Sequence, residues 1–439
     1  MKRRLFATLC AVVAAWIATS ANGQDMREWT ARDGGFSVVG KLDVKRVADS
    51  SNTAREIYIL DDEGRELKCP LDKLSDVDQL YLARVYQTLA TGADASAIEW
   101  IRDEKREAGT RRALDVDGVE YAFRWVRHGR AVEPSEEYDP NTLKAVAAAQ
   151  AGRKSKNVKR YAVDSGFWML ETEVTLEMYN AFIKASKYKG TKSTARRLAY
   201  VAEPAREAGV KPVEDASWRN PGFTQTKTHP VTLVTLQDAQ VFCAWLSKKI
   251  KKPVTLPTRA QWLLASQPET SPTADFAGAL GRWIYGADDS WERGNLPDAN
   301  FAVTCPIHNG TMSRINFTYR DSYRFTTPVG IFNPNVNGLY DMIGNVGEWA
   351  IDSEDPIESL GGSWFHIQNF NPLNWKRVDG YAQEMLREGT PLAASRVEAK
   401  YAQNYETADA GFGNKAYVYS PMGDVDATCF TGFRVIIAQ

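Results

Sequence analysis

Apolar side chains recur at helical spacing in two long runs of the chain, and each run follows a threonine. Thr175 and Thr235 are good N-cap residues, because a threonine hydroxyl can accept a hydrogen bond from the first helical turn. The pattern therefore predicts helices over Leu176–Ser186 and Leu236–Ile250. Thr258 precedes a shorter run and predicts a third helix start.

The N-terminal part of the chain shows the two-residue alternation of β-strands instead. Three short segments have this pattern: 36–42, 55–60 and 65–70. The Asp-Asp-Glu-Gly sequence at 61–64 predicts a hairpin turn, and Ser75 predicts the start of a helix over 76–86. Short strands followed by one helix predict a small SH3-like β-barrel over residues 24–84.

These patterns divide the rest of the chain. Residues 85–114 are rich in charge and are predicted to form a helical linker. A large domain follows over 115–439 and opens with a strand pair. Within it, the polar segment 130–160 is predicted to be a surface insertion with one short helix. The net charge of −1 gives no basis for a nucleic acid or an anionic membrane surface as partner.

Residues 1–23 have the pattern of a secretory signal peptide. A basic start at residues 2–4 precedes an apolar run over 5–18, and small residues before Gln24 predict cleavage there. An uncleaved anchor is the alternative. Cleavage would give an exported protein, periplasmic or extracellular, with no membrane span.

Four cysteines would remain after cleavage of the signal peptide: Cys69, Cys243, Cys305 and Cys429. Four cysteines allow three pairings, and the preferred hypothesis is a Cys243–Cys429 disulfide. The alternative is that Cys243 is a small buried side chain on its helix. The histidines are scattered, which does not predict a zinc site.

Residues 337–349, NGLYDMIGNVGEW, combine glycines with oxygen-bearing side chains. Asp341, Asn345 and Glu348 lie within eight residues. Carboxylates and exposed carbonyls in a glycine-rich loop suit a hard cation such as Ca²⁺, which takes six to eight oxygens. The alternative is a glycine-rich turn between two short strands.

This stretch resembles the GLYDM-x-GNV-x-EW signature of the formylglycine-generating enzyme family, also called sulfatase-modifying factors. Four further motifs of that family are matched in order: GFWMLETEVT at 166–175, LPTRAQW at 256–262, LGGSW at 360–364 and TGFRV at 431–435. The resemblance covers about residues 115–439. It implies the family's α+β fold, which is related to C-type lectins and has little regular secondary structure.

The resemblance also implies two calcium sites. The first would use the side chains of Asp341 and Glu348 with the carbonyls of Gly344 and Val346. The second would use four residues before that loop: Asn300, Phe301, Asp321 and Tyr323. The alternative is that backbone N–H groups satisfy the same acids.

The residues that carry the family's oxidation chemistry are mostly absent. Its oxidases bind copper through two cysteines that follow the RGGSW-like motif, and His366 and Asn371 stand at those positions here. Thiolates suit Cu(I), whereas a neutral amide is a poor ligand. Gly347 stands where the family usually has a tryptophan, and Ser363 is the residue of the family's core site that this chain keeps. The departures argue against copper as a cofactor.

Two functional hypotheses follow. The first is a calcium-stabilised, non-catalytic binding or scaffold protein with a protein or peptide ligand. The second is a sulfatase-modifying oxidoreductase with an altered site. A third idea is that Ser363, His366 and Asn371 bind a different metal.

The N-terminal unit resembles SLA homology domain 1. The resemblance is carried by REWT at 27–30, FSV at 36–38 and the run from Ile57 to Leu82. That family is a small β-barrel known as a peptide-binding module. The alternative is a spacer or stability module.

Overall fold

The computed structural model describes residues 26–44, 46, 56–93, 95–134, 158–190, 196–202, 209–266, 323–342, 344–351, 358–361, 363–364, 408–409, 415–416 and 425–438. The chain divides into two compact units, residues 1–106 and 107–439. The predicted signal segment 1–23 lies outside the described residues, as does the centre of the predicted insertion.

The first unit is built on a four-stranded antiparallel sheet in the order β1-β2-β3-β4. Its strands are β1 (Arg27–Thr30), β2 (Ser37–Leu42), β3 (Glu56–Leu60) and β4 (Glu66–Pro70). A 3-10 turn, Leu71–Lys73, leads from β4 to α1 (Asp76–Ala90). The predicted strands and the predicted helix start at Ser75 are confirmed: Ser75 accepts a hydrogen bond from the N–H of Asp78.

The end of β1 contacts the residues that follow β4. Ala31 forms an antiparallel bridge with Leu74, and the N–H of Ser75 donates to the carbonyl of Thr30 at 2.8 Å. The first strand of the sheet, β1, is therefore hydrogen-bonded both to β2 and to the residues that follow the last strand, β4.

The predicted helix over residues 85–113 is correct only as far as Ala90, where α1 ends. A short 3-10 helix, Ala95–Trp100, comes next, and the following β-strand already begins at Arg111. Ile98 is fully buried in the same core as Trp29. The segment therefore packs as part of the first unit, since its apolar side chains complete that core.

A buried ion network ties β1 to α1 and to the segment after it. Arg27, only 6% exposed, pairs with Asp78 and with Asp103. Asp78 also accepts hydrogen bonds from Lys105 Nζ at 2.9 Å and from the N–H of Thr30 at 2.9 Å. Burial raises the pKa of Asp78, but these hydrogen bonds outweigh it, so its pKa is lowered.

The second unit is a mixed α/β structure. The strands in chain order are β5 (Arg111–Val116), β6 (Val119–Val126), β7 (Gly129–Pro134), β8 (Val158–Val163), β9 (Phe167–Leu170), β10 (Arg196–Val201), β11 (Gly209–Pro212), β12 (Val254–Thr255), β13 (Gly347–Ala350), β14 (Glu358–Leu360), β15 (Ala408–Asp409), β16 (Lys415–Ala416), β17 (Val425–Thr428), β18 (Thr431–Gly432) and β19 (Ile436–Ile437). The main sheet has five strands in the order β12-β19-β9-β6-β5, and a second, three-stranded sheet has the order β14-β13-β18.

The helices of the second unit are α2 (Leu176–Ser186), α3 (Leu236–Ile250) and α4 (Arg259–Ser266). The first two have the predicted bounds, and Thr175 and Thr235 cap them. Thr258 caps α4: its hydroxyl accepts from the N–H of Gln261, whose side chain accepts from the N–H of Thr258. Gln261 therefore keeps the reciprocal cap that a glutamate would form.

The ends of the predicted insertion are paired strands. β7 and β8 form an antiparallel ribbon from Gly129–Val163 to Pro134–Val158, and residues 135–157 between them lie outside the described residues. The predicted opening strand pair of the large domain is confirmed by the β5–β6 hairpin, with Asp117 and Gly118 at positive φ in its turn.

The preferred disulfide hypothesis is wrong. Cys243 is a free thiol buried on α3, so it forms no bond with Cys429. Cys69 is also free and buried in the core of the first unit, while Cys305 lies outside the described residues. The alternative, that Cys243 is a small buried side chain, is confirmed because helical spacing places it beside Phe242 and Leu246 in the core.

Within the part of the chain that the structure describes, no helix is both long and apolar enough to cross a membrane.

The ion network of the first unit predicts unequal effects for two aspartates in the first turn of α1. Asp78→Ala should lower the free energy of unfolding of this unit by about 3–5 kcal/mol, because it removes one of the two buried carboxylates that pair with Arg27. Asp76→Ala removes an ion pair whose side chains are 58% and 85% exposed, so its cost should stay within about 1 kcal/mol. Urea unfolding with hydrogen exchange of the β1 amides measures both. Equal costs for the two variants would contradict the network's role.

Candidate functional site

The glycine-rich stretch 337–349 forms a loop whose first turn is closed by asparagine side chains. Asn335 Oδ1 accepts hydrogen bonds from the N–H groups of Asn337 and Leu339, at 3.0 and 3.1 Å. Gly338 has φ 71°, and a Cβ there would lie 2.9 Å from Nε of Arg124. A larger residue at 338 would therefore displace the arginine that supports the loop.

Two non-glycine residues of this loop also adopt positive φ. Asp341 and Asn345 both have φ 53°, a conformation that Asp and Asn tolerate better than most residues. Gly344, at φ 84°, lies between them and donates its N–H to the carbonyl of Gly361 at 3.0 Å. The backbone therefore turns repeatedly, and Asp341 is directed into the protein with an exposure of 7%.

Asn345 joins three segments of the chain. Its Oδ1 accepts from the N–H of Thr327 at 3.0 Å, and its carbonyl accepts from the N–H of Trp364 at 3.0 Å. Asn345 is fully buried. The side-chain amide of Asn345 therefore holds residues 323–330 against the loop, and its backbone carbonyl holds the LGGSW motif.

The segment 323–330 is also held from the other side. The N–H of Val329 donates to Thr228 O at 2.9 Å, and the ring of His229 hydrogen-bonds the backbone of Thr326. Burial lowers the pKa of His229 below its usual value, so the ring is neutral at pH 7. Gly330 N–H then donates to Asp341 Oδ2 at 2.6 Å.

Glu348 does not face solvent or an open cleft. It lies on β13, fully buried, and accepts hydrogen bonds from Arg434 and from Trp262 Nε1, the latter at 2.7 Å. Arg434 Nε lies 2.9 Å from both carboxylate oxygens, and Nη2 lies 2.6 Å from Oε1. Each carboxylate oxygen therefore has two donors, which fills its lone pairs.

The other donors of Arg434 are satisfied by backbone carbonyls. Nη1 contacts the carbonyls of Leu170 and Glu171 at 3.2 Å, and Nη2 donates to Tyr340 O at 2.8 Å. Burial acts to lower the pKa of Arg434, but the charge and hydrogen bonds of Glu348 outweigh it and the pKa is raised. Arg434 is therefore a permanent buried cation.

Two further carboxyls lie beside this ion pair. Glu173, fully buried, faces Asp341, and both feel the charges of Glu348 and Arg434. Burial is the main cause that raises the pKa of Asp341 to about 6. Burial also raises the pKa of Glu173 well above its usual value, and the charge of Asp341 raises the pKa of Glu173 further. A hydrogen bond between the carboxyls of Glu173 and Asp341 acts in the opposite direction on Asp341 and lowers its pKa.

The LGGSW motif lies in a tightly packed position. Leu360, at the position of the family's arginine, is 2% exposed in a core cluster with Trp262. A Cβ on Gly361 would lie 3.1 Å from that indole and from Met342 O. Ser363 is 1% exposed. The replacement of arginine by leucine therefore converts a polar position into core.

An aromatic cluster adjoins Ser363. Trp364 contacts Phe223 and Phe325 edge-on, with ring centroids 5.5 and 5.2 Å away, and those two phenylalanines stack on each other at 4.4 Å. Phe430 is buried in the same cluster. The described residues of this cluster are apolar.

Several predicted site residues lie outside the described residues: Asn300, Phe301, Asp321, His366 and Asn371. Tyr323, the remaining member of the second predicted calcium set, is exposed. The structure does bring Asp341 and Glu348 into one charge cluster, and Val346 is fully buried next to them in the chain. Whether these residues bind calcium stays a prediction.

Three residues of this region were missed as site residues from the sequence. Glu173 and Arg434 were noted only as parts of motifs, although a charged residue within an apolar run such as GFRVII signals a buried counter-charge. No sequence pattern indicates that Cys429 lies in this region, because its contact is long-range: its carbonyl accepts a hydrogen bond from Trp364 Nε1 at 3.3 Å, between residues 65 positions apart.

No group of three or more His, Cys, Asp or Glu side chains is arranged to hold a metal ion within the described ranges. An ion at this loop would therefore also need oxygens from the backbone or from water.

Comparison with known proteins identifies what the second unit resembles. The family model described as "Sulfatase-modifying factor enzyme 1-like domain" matches residues 125–436. The chain is 29% identical over 213 residues to the formylglycine-generating enzyme of Mus musculus, a match that spans 44% of this chain and 50% of that protein. The corresponding enzyme of Streptomyces coelicolor is 28% identical over 207 residues, or 43% of this chain and 59% of that protein.

A relative with a different description is also matched. The "Inactive C-alpha-formylglycine-generating enzyme 2" of Bos taurus is 30% identical over 180 residues, which is 38% of this chain and 50% of that protein. This chain thus spans about half the length of the curated relatives it matches. Among solved structures, PvdO from Pseudomonas aeruginosa is 18% identical, with 76% of this chain and 100% of that chain covered and a TM-score of 0.41.

Proposed function

The chain belongs to the sulfatase-modifying factor family, and from that premise we propose that it is a non-catalytic, exported binding or scaffold protein. The observation that carries this proposal is the pair His366 and Asn371, which stand where the family's copper-binding oxidases have two cysteines. A neutral amide cannot replace a thiolate on Cu(I), because the soft metal needs a soft, anionic donor.

The described thiols support the same view, because they are poorly suited to act as thiolates. Burial raises the pKa of Cys243 to about 12, which keeps its thiol protonated at neutral pH. Cys429 is fully buried in the apolar cluster around Trp364. The ligand of such a protein would be a protein or a peptide.

The alternative is a sulfatase-modifying oxidoreductase with an altered site. One observation favours it: the structure brings Cys429, distant in sequence, against the residue that follows Ser363. The backbone of Cys429 contacts Trp364, and its buried side chain belongs to the same apolar cluster. In a related alternative, Ser363, His366 and Asn371 bind another transition metal, which elemental analysis of the purified protein tests directly.

The non-catalytic proposal predicts the absence of copper chemistry. The full chain, incubated with Cu(I) and a cysteine-containing sulfatase peptide, should show no stoichiometric copper binding and no oxygen uptake above buffer, because the thiolate pair is missing. Mass spectrometry of the peptide measures conversion.

Turnover in that assay would contradict the proposal. The variant Cys429→Ser would then identify the source: turnover lost in this variant but kept in Cys243→Ser would support an altered oxidase built around Cys429. The two variants form a matched pair, since both thiols are buried in the second unit.

We further propose that the first unit is an SLA homology domain 1-like SH3-like barrel that binds peptides, and that the second has the family's C-type-lectin-like fold. The sheet order β1-β2-β3-β4 and the Ala31–Leu74 bridge support a barrel, because they join the two ends of the sheet. The export part of the proposal rests on the basic and apolar pattern of residues 1–23.

Peptide binding by the first unit can be measured with the full chain. A fluorescent library of unstructured peptides should contain sequences that bind in anisotropy titrations, and their binding should cause protection from hydrogen exchange within residues 26–106. Binding accompanied only by protection within residues 107–439 would contradict the assignment to this unit.

Calcium is proposed as a structural ion of the loop 337–349. Asp341 fits this role: its carboxyl is buried in the loop, and Oδ2 accepts a hydrogen bond from the N–H of Gly330. The carbonyls of Gly344 and Val346 belong to the same loop, and the family resemblance implies that they are ligands. Glu348 fits less well, because Arg434 and Trp262 already fill its oxygens.

The calcium proposal predicts an ion-dependent melting temperature. Saturating Ca²⁺ should raise the melting temperature of chelator-treated protein by on the order of 5 °C, because only the folded state binds the ion. Asp341→Asn, which keeps an oxygen for Gly330, should lose this rise. Calorimetric titration measures whether this variant binds one Ca²⁺ fewer than the wild-type protein.

Asp117→Asn is the matched control. Asp117 also has positive φ, 55°, but lies exposed in the β5–β6 turn, so this variant should keep the full calcium response. The same melting curve for wild-type protein with calcium and with chelator would contradict the proposal.

A further inference from the structure

Residues 223–230 lie against residues 323–330 in the second unit. At one end of this contact, Phe223 stacks on Phe325, with ring centroids 4.4 Å apart and an angle of 4° between the ring planes. Both rings also contact Trp364 edge-on, at 5.5 and 5.2 Å between centroids. The two segments therefore pack together against the indole of the LGGSW motif.

Hydrogen bonds join the same two segments beyond the stacked rings. The N–H of Val329 donates to the carbonyl of Thr228 at 2.9 Å, and Gln225 Nε2 donates to Thr326 Oγ1 at 2.9 Å. The ring of His229 adds a further bond, to the backbone of Thr326. His229 is only 8% exposed, so this bond is largely shielded from water.

The other ring nitrogen of His229 determines where the ring carries its proton. Nδ1 accepts a hydrogen bond from the N–H of Thr226 at 3.1 Å and lies 2.8 Å from the hydroxyl of Thr226. A backbone N–H can only donate, so Nδ1 has a free lone pair and the proton of the neutral ring is on Nε2. The neutral ring therefore serves both contacts, with Nδ1 accepting from Thr226 and Nε2–H left for Thr326.

A second proton on this ring would disrupt the arrangement. Protonation of Nδ1 leaves the N–H of Thr226 without its acceptor and places a positive charge in a buried position. The backbone around the ring is held in place: His229 N–H donates to Thr226 O at 3.0 Å, and its carbonyl accepts from the N–H of Leu176 at 2.9 Å. The turn 226–229 therefore has to move for a charged ring to reach water.

The charged side chains on the elements around His229 lie on its own turn, near the start of α2 and on the facing segment. They are Lys227, Glu173, Glu177 and Arg324. Lys227 and Glu177 pair with each other at 3.0 Å. Burial is the largest cause that shifts the pKa of His229, and it lowers this pKa although backbone hydrogen bonds with Thr326 and Thr226 act to raise it.

We propose that His229 is a pH-sensitive latch between residues 223–230 and 323–330. At neutral pH, the uncharged ring holds the two segments together. In acid, the ring takes a second proton, Nδ1 no longer accepts from Thr226, and the two segments separate. Their separation uncovers the rings of Phe325 and Trp364.

Acid favours the open form of this latch. In the open form, the ring has the ordinary histidine pKa of about 6.5, whereas burial lowers the pKa of the closed form. The ratio of open to closed protein therefore rises by up to about tenfold for each pH unit below about 6.5, until the pH reaches the pKa of the closed form. Glu173 and Asp341 act with the opposite sign, because a raised carboxyl pKa means that acid favours their buried state.

Hydrogen exchange of the full chain between about pH 7.5 and about pH 5 tests the latch, with rates corrected for the intrinsic pH dependence of exchange. In the wild-type protein, the amides of residues 323–330 should exchange up to about tenfold faster for each pH unit below about 6.5. The amides of α3 should stay protected and serve as an internal reference.

Two glutamine variants separate the latch from other effects of acid. In His229→Gln, a neutral amide that does not titrate replaces the ring, and its Nε2 can still donate to the backbone of Thr326. The corrected exchange of residues 323–330 should then be the same at both ends of the pH range. His128→Gln is the matched control: His128 is exposed before β7 in the same unit, so this variant should keep the wild-type acid response.

Proton NMR titration of the histidine rings gives a second readout. The resonance that is missing from the spectrum of His229→Gln should titrate in the wild-type protein with a midpoint below about 6.5. A midpoint at or above that value would overturn the proposal, because the closed form would then not oppose protonation. Should His229→Gln not fold, His229→Asn, which keeps an acceptor near the position of Nδ1, serves in both measurements.

Three exchange results would also overturn the latch. The first is wild-type protection of residues 323–330 that does not change across the pH range. The second is an equal acid response in wild-type protein and in His229→Gln, which would assign the response to other groups. The third is loss of protection in α3 at the same pH, since acid would then unfold the whole unit rather than open one contact.

Discussion

The buried pair of Arg434 and Glu348 is the interaction on which the second unit depends. Arg434 is fully buried and contacts the end of β9, the loop at Tyr340 and the carboxylate on β13. Loss of one member of such a pair costs about 3–5 kcal/mol, because the other remains charged and buried. The pair therefore fixes the register of segments that are far apart in sequence.

That fixed framework separates two regions with different chemistry. On one side, the loop places the buried carboxyl of Asp341 against that of Glu173, and burial raises the pKa of both. On the other, the LGGSW motif and Trp364 are packed among aromatic and aliphatic side chains. The two regions are therefore distinct in chemistry among the described residues: buried carboxyls lie on one side and aromatic packing on the other.

Local patterns could be predicted well from the sequence, and long-range pairing could not. The capping threonines Thr175 and Thr235 gave the bounds of α2 and α3, because capping and helical spacing are local properties. The extended helix prediction after α1 was wrong, since Ile98 finds its place in the core only through tertiary packing. Likewise, Glu173 meets Asp341 across 168 residues of sequence, and no local spacing encodes that contact.

Anomalous diffraction from crystals grown with Ca²⁺ tests the central claim most directly. The account predicts one anomalous peak at the loop, about 2.3–2.6 Å from a carboxylate oxygen of Asp341. Glu348 should remain hydrogen-bonded to Arg434 in that structure. A peak bound to Glu348 with Arg434 displaced, or no peak at this loop, would contradict the account.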